Sequence, residues 1–127
     1  MTEMLYMPLP VTDVRASTAF YAAVGAIKDE ARSNETTTSM IVSEMVTLML
    51  LPPERWDEFS SGTPVDDENA GPMAFCTTAD SREACDSAVE AAVKAGGTAD
   101  PMPKEDYGAR YSRSYADLDG HIWQILA

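Results

Sequence analysis

Hydrophobic and polar positions along the chain follow one plan twice. The segment "PVTDVRASTAFYAAVGA" places Ala16, Ala19, Phe20, Ala23, Val24 and Ile27 at helical spacing, so an amphipathic helix is expected, with those residues as its apolar stripe. Asp13 stands where an N-cap carboxylate would accept from exposed backbone N–H groups, and Gly25 where a left-handed C-terminal residue is wanted. Ahead of it, "MLYMPLPV" is short, apolar and limited by proline, which suits an edge strand. In the second half "PMAFCTTADSREACDSAVEAAVKAGG" repeats the layout. An apolar run leads to Asp80 as the expected cap, with Glu83 as its capping-box partner. Cys85, Ala88, Val89 and Ala92 form the stripe, and Gly96-Gly97 ends it.

Each strand–helix unit is followed by a hairpin pattern. The first, "TSMIVSEMVTLMLL", breaks at Ser43-Glu44. The second joins "ARYSRSYA" to "HIWQIL" through "DLDG", where Asp117 and Gly120 fit the ends of a type I turn. Between the halves, "PPERWDEFSSGTPVDDENAGP" opens with a helical turn at Pro52-Pro53 that pins Trp56 and Phe59 to the core. It continues as a Ser-, Gly-, Pro- and acid-rich linker. The pattern predicts one α+β domain over residues 1–127. Module one spans about 4–51, the linker about 52–71 and module two about 72–127.

Composition narrows the function. A chain of 127 residues buries a core without disulfides or metal. A formal net charge of -12 excludes a phosphate-binding or anionic-membrane surface, so neither nucleic acid nor membrane is an expected partner. Cys76 and Cys85 lack metal-ligand spacing and read as reduced, packed thiols. The N-terminus shows no basic region and no long apolar run, and the expected location is the cytoplasm. No nucleophile elbow, phosphate-cradling glycine loop or Cys/His pair is present.

The duplicated layout, with "VTDVRASTAFYAAVGA" at the front and "DLDGHIWQIL" at the back, resembles the vicinal oxygen chelate superfamily. That superfamily includes glyoxalase I, bleomycin- and fosfomycin-resistance proteins and extradiol dioxygenases. "DYGARYSRSYADLDGHIWQIL" is similar to the ending of its bacterial glyoxalase-like subgroup. The resemblance implies two pseudo-symmetric βαβββ modules whose mixed sheets curl around a concave cavity, with helices outside, commonly in a homodimer. It also implies a divalent metal such as Zn, Ni, Mn or Fe, held by His, Gln or Glu from the first and last strands of each module.

Carried onto this chain, the ligand positions fall on Tyr6, Met49, Met73 (seven residues before Asp80) and Gln124 (four after Gly120). Thioethers and a neutral phenol are poor ligands for a hard or borderline cation, so the expected cofactor is none. Strand alternation puts Ile122 on the face of Gln124 and turns His121 and Trp123 away, leaving His121 as a packed residue beside a turn. Ser112 and Ser114 are expected to face the cavity, with Tyr111 and Arg113 on the other side. Arg110 shares the parity of the serines and would select an anionic or carbonyl-bearing ligand if inward, or balance surface acid if exposed. Met49 and Met73 either shape a ligand or fill core volume.

The expected function is therefore a glyoxalase/bleomycin-resistance-like protein. It would bind a small organic molecule in an amphipathic cavity lined by Tyr6, Met49, Met73, Arg110, Ser112, Ser114, Ile122 and Gln124, without the family metal. The rival is a metal-dependent lyase, isomerase or dioxygenase drawing ligands from Gln124, Glu44 or His121.

Overall fold

The computed structural model describes residues 3–59 and 73–127. Most of the expected linker, and the Phe59 side chain, lie outside them. The chain divides after residue 71 into two compact units.

In the first unit, β1 (Leu5–Pro10) leads through α1 (Val14–Ala23) to β2 (Ile27–Lys28) and a 3-10 turn (Glu30–Arg32). The hairpin β3 (Thr38–Ser43) and β4 (Val46–Leu51) follows, then the short helix α2 (Pro53–Phe59). The sheet runs β1-β4-β3-β2, with β1 parallel to β4 and the other pairs antiparallel. Pro8 and Pro10 carry no N–H to donate, and β1 is indeed an edge strand. In the second unit, β5 (Ala74–Thr78), α3 (Arg82–Lys94), β6 (Thr98–Ala99), β7 (Glu105–Asp106), β8 (Tyr111–Ala116) and β9 (Ile122–Leu126) form a sheet ordered β5-β9-β8-β6. The two-residue β7 also pairs with β8. The molecule is thus α+β with two mixed sheets and the βαβββ plan in each half. Among the described residues no helix is long and apolar enough to cross a membrane.

The duplication extends to single hydrogen bonds. Gly25 and Gly96 both hold positive φ (107° and 104°) at the ends of α1 and α3. Asp29 N–H donates to Ser39 O in one unit, and Asp100 N–H to Ser114 O in the other. Val11 and Ala79 likewise donate to the last residues of β4 and β9.

Two details of the helices differ from the sequence reading. Asp13 caps α1, accepting from Ala16 N–H at 3.0 Å, but the buried face is Ser17, Phe20 and Tyr21. Ala19 and Ala23 are exposed, and Ile27 has left the helix for β2, 66 % exposed. The cause is area. The Phe20 and Tyr21 rings, edge-to-face at 5.2 Å, bury far more apolar surface than a row of methyl groups, so they set the rotation of the helix. In α3 the cap is Ser81, whose hydroxyl accepts from Ala84 N–H at 3.0 Å, while Asp80 is exposed one residue earlier. The stripe holds there: Cys85, Val89 and Ala92 are buried and Ala88 half-buried.

Alternation assigns the two faces of each sheet. In the first, Leu9, Met40, Leu48 and Leu50 have no exposure and belong to the core that α1 covers. Register puts Tyr6, Thr47 and Ile41 in one row on the opposite face, with Pro8, Met49 and Ser39 in the next. In the second, Arg113 on β8 reaches Asp86 of α3, so Tyr111, Arg113, Tyr115 and Trp123 mark the helix side. The opposite face carries Ala74, Ile122 and Ala116, then Cys76, Gln124 and Ser114.

Candidate functional site

The closing "DLDGH" is a turn held together by Asp117. Gly120 N–H donates to Asp117 O at 3.2 Å, and Asp117 Oδ1 accepts from the backbone N–H groups of Asp119 and His121 at 2.9 and 2.8 Å. Gly120 takes the positive φ (88°) that lets the chain turn into β9. His121 is 4 % exposed, and its Nδ1 accepts from Met73 N–H at 2.9 Å. Its ring therefore ties the start of β5 to the start of β9.

On β9, Gln124 is half-buried and its Nε2 donates to Ser112 Oγ at 3.2 Å. Ser114 Oγ accepts from Met102 N–H at 3.1 Å, which fastens the segment between β6 and β7 to this face. Both serines are 1 % exposed. Ser112, Ser114, Ile122 and Gln124 share one face, as alternation predicted. Cys76 stands opposite Gln124 in the register and is exposed, so it is not the packed thiol expected from sequence. Cys85 is buried, with Sγ 3.5 Å from Ile125 O, and burial pushes its thiol up.

The corrected cap moves one of the four ligand positions. Tyr6 lies seven residues ahead of the cap at Asp13; the residue seven ahead of Ser81 is Ala74, not Met73. Register agrees, because Tyr6 pairs with Thr47 two residues before Met49, and Ala74 pairs with Ile122 two residues before Gln124. Met73 has the opposite parity, and its backbone is bonded to His121 Nδ1 and Ile122 N–H. On this register the positions that the resemblance implies fall on Tyr6 and Met49 in one unit and on Ala74 and Gln124 in the other. A methyl group donates nothing to a metal, a thioether suits soft ions, and the Gln124 amide oxygen alone makes a single hard donor, its Nε2 being turned to Ser112. This set does not fit the family's divalent cation. Among the described residues no group of three or more His, Cys, Asp or Glu side chains offers another site.

Arg110 lies in the turn before β8, with its side chain 68 % exposed and its Nε 3.8 Å from Glu105. A different cation stands at the open face of the first unit. The Arg32 guanidinium carbon sits 5.8 Å from the centroid of the Tyr6 ring, and Tyr6 is 37 % exposed. Thr47 Oγ1 donates to Met4 Sδ at 3.3 Å beside it, and Ser39 Oγ donates to Arg32 O at 2.8 Å. Sequence reasoning missed Arg32, Ser39 and Thr47. The alternation Ser39-x-Ile41 against Thr47-x-Met49 marks the two strand residues, but nothing local brings the 3-10 turn over Tyr6.

Charged groups concentrate on the helix side of the second unit. Arg113 holds Asp100 (2.7 Å) and Asp86 (3.1 Å), and the Tyr111 hydroxyl donates to Asp86. The Tyr111 and Arg113 hydrogen bonds hold Asp86 below the usual carboxylate range, Arg113 does the same for Asp100, and Asp86 pushes the Tyr111 phenol up. Arg82 pairs with both Asp106 oxygens and lies 4.9 Å from the Tyr111 ring centroid. This network braces β8 against α3 and leaves the Ser112/Gln124 face uncharged.

No protein-family model matches the chain, and no curated protein matches it in sequence. Solved structures do match along its whole length. A glyoxalase/bleomycin resistance protein/dioxygenase family enzyme from Burkholderia phytofirmans superposes with a TM-score of 0.80 at 20 % identity, over 98 % of each chain. A glyoxalase-related enzyme from Fulvimarina pelagi gives 0.78 at 22 %, over 99 % of this chain and 88 % of that one. A lactoylglutathione lyase from Agrobacterium tumefaciens gives 0.69 at 18 %, over 99 % and 93 %. Together with the repeated βαβββ units, these likenesses show that the chain has the vicinal oxygen chelate fold of the glyoxalase, bleomycin-resistance and dioxygenase proteins.

Proposed function

We propose that this protein binds a small organic molecule on the amphipathic sheet faces opposite its helices, without the divalent metal used elsewhere in the superfamily. The observation that carries the reading is the residue set at the four ligand positions: Tyr6, Met49, Ala74 and Gln124. Apolar walls, thioethers and a few hydroxyl and amide groups make a surface suited to an organic ligand. The reading also takes the protein to be cytoplasmic, from its N-terminal sequence and cysteine usage, and homodimeric, as the resemblance implies.

Elemental analysis of untagged, dialysed protein, before and after incubation with zinc, nickel, manganese and ferrous iron, tests the metal half of the reading. The expected result is no stoichiometric metal under any condition. Stoichiometric retention would overturn it and favour a metal-dependent lyase, isomerase or dioxygenase. A thermal-shift screen of aromatic and amphipathic compounds tests the binding half. One-site saturation at a hundred times Kd adds about 2.7 kcal/mol, a shift of several degrees for a domain this size. A broad screen without a hit would sink it.

A further inference from the structure

We infer that Tyr6 and Arg32 form a recognition point for a planar ligand bearing an anionic group, such as an aromatic carboxylate. This deepens, and rests on, the small-molecule reading above.

The geometry begins with a strand residue and a turn residue far apart in sequence. Tyr6 projects from edge strand β1 on the face away from α1, in register with Thr47 and beside Met49. Tyr6 is 37 % exposed, so part of its apolar area is open for stacking. The backbone of the 3-10 turn is fixed over this face by Ser39 Oγ, which donates to Arg32 O, and by Ser33 Oγ, which accepts from Ser39 N–H at 3.0 Å. Those bonds hold Arg32 over the Tyr6 ring without committing its side chain.

The Arg32 side chain is 64 % exposed and leans on Asp29 through Nε at 3.6 Å. A distance of 3.6 Å is loose for a charge-assisted contact, and it uses only one edge of the fork. The two terminal nitrogens have no partner among the described residues. They present the planar donor pair that matches a carboxylate. Asp29 and Glu30 are the acids beside it, and Glu30 lies 3.6 Å from Lys28.

Charge selects the ligand class. A protein of net charge -12 repels anions at long range, so it would hold one only where a cation touches it directly. Of the positions read from sequence, Arg110 was the cation of interest, but its side chain meets Glu105 outside the β8 strand. Arg82 and Lys104 lie over Tyr111, on the helix side of the other sheet. Arg32 is the cation over the open-face residue Tyr6. Met4 Sδ accepts from Thr47, the register partner of Tyr6, and Met49 lies in the next row of that face, so flexible thioethers that adapt to a flat partner stand nearby.

The test uses 2-naphthoate and its neutral analogue 2-naphthamide, titrated into the full chain and followed by backbone amide NMR and calorimetry. Naphthoate is expected to shift the amides of Tyr6, Arg32, Thr47 and Met49 and to bind about tenfold more tightly than the amide. Arg32→Gln should abolish that preference, and Tyr6→Leu should weaken both probes. Arg15→Gln, which removes an exposed charge from α1, should change neither. Equal binding of the two probes, or a preference that survives Arg32→Gln, would overturn the inference while leaving small-molecule binding intact. Shifts confined to other residues, or no binding of either probe, would also overturn it. The thermal-shift screen decides the broader reading separately.

Discussion

Gln124 donates to Ser112 across β9 and β8 at 3.2 Å, whereas the equivalent pair in the first unit, Met49 and Thr37, makes no such bond. The equivalence follows from register: Met49 pairs with Ser39 as Gln124 pairs with Ser114, and Thr37 and Ser112 each lie two residues earlier. Two copies of one backbone plan have therefore acquired different chemistry on matching faces. One face satisfies its hydroxyl internally, and the other leaves it without a partner.

Removing the Gln124 amide should expose the difference. In Gln124→Leu the Ser112 hydroxyl, 1 % exposed, loses its donor, and unfolding free energy is expected to fall by about 1–2 kcal/mol. Adding Ser112→Ala should restore part of the loss, because the hydroxyl then has nothing left to satisfy. Urea unfolding of the single and double variants measures both. A double variant less stable than the sum of the two singles would contradict the pairing.

Thr37 predicts the opposite sign. Its Oγ1 is buried and unpartnered, and the residue is only 7 % exposed. Thr37→Val keeps the shape and deletes the unsatisfied hydroxyl, so stability is expected to rise by about 0.5–2 kcal/mol. Thermal unfolding monitored by circular dichroism reads the change.

The helix caps give a direct check on how the two modules align. Asp13→Ala and Ser81→Ala should each cost about 1 kcal/mol, since each removes the acceptor for a helix N–H group. Asp80→Ala should change stability by less than about 0.5 kcal/mol, as expected for an exposed residue away from the cap hydrogen bond. A larger loss for Asp80→Ala than for Ser81→Ala would return the third ligand position to Met73.

Acid should loosen the second unit through Asp86 and Asp100. Both folded-state carboxyls titrate below their ordinary value of 3.8, held there chiefly by hydrogen bonds from Tyr111 and Arg113 respectively. A depressed folded pKa means that the unfolded chain takes up protons first as pH falls. Their contribution is complete well above 3.8 and is lost progressively as pH drops through the folded values. Denaturant midpoints measured from pH 6 to pH 2.5 should fall most steeply below about 4.5. Arg113→Gln should flatten that fall, and an unchanged profile in the variant would remove the network from the account.

Much of the fold was legible in the sequence because its signals are local. Asp13 and Gly25 mark the ends of α1, Gly96 closes α3, Pro8 and Pro10 restrict β1 to an edge, and Asp117 with Gly120 closes the β8–β9 turn. Period-two alternation likewise separated Ser112, Ser114, Ile122 and Gln124 from Tyr111, Arg113 and Trp123. What failed depended on competition between neighbours. Asp80 and Ser81 are both good caps, and only the geometry of the strand–helix junction chooses Ser81, moving the ligand position from Met73 to Ala74. Of the expected α1 stripe Phe20 is buried, but Ala19 and Ala23 gave way to Tyr21 because burial is decided by total area against the sheet.

The sequence by itself determined the duplicated α+β plan and the strongly acidic charge balance, since each depends on residue identity and short-range spacing. Only the tertiary structure decided that Arg32, from a 3-10 turn, lies over Tyr6 on β1 and that Gln124 is tied to Ser112. Those relationships join residues that local pattern leaves unconnected. Strand pairing and loop placement bring them together, which spacing along the chain does not encode.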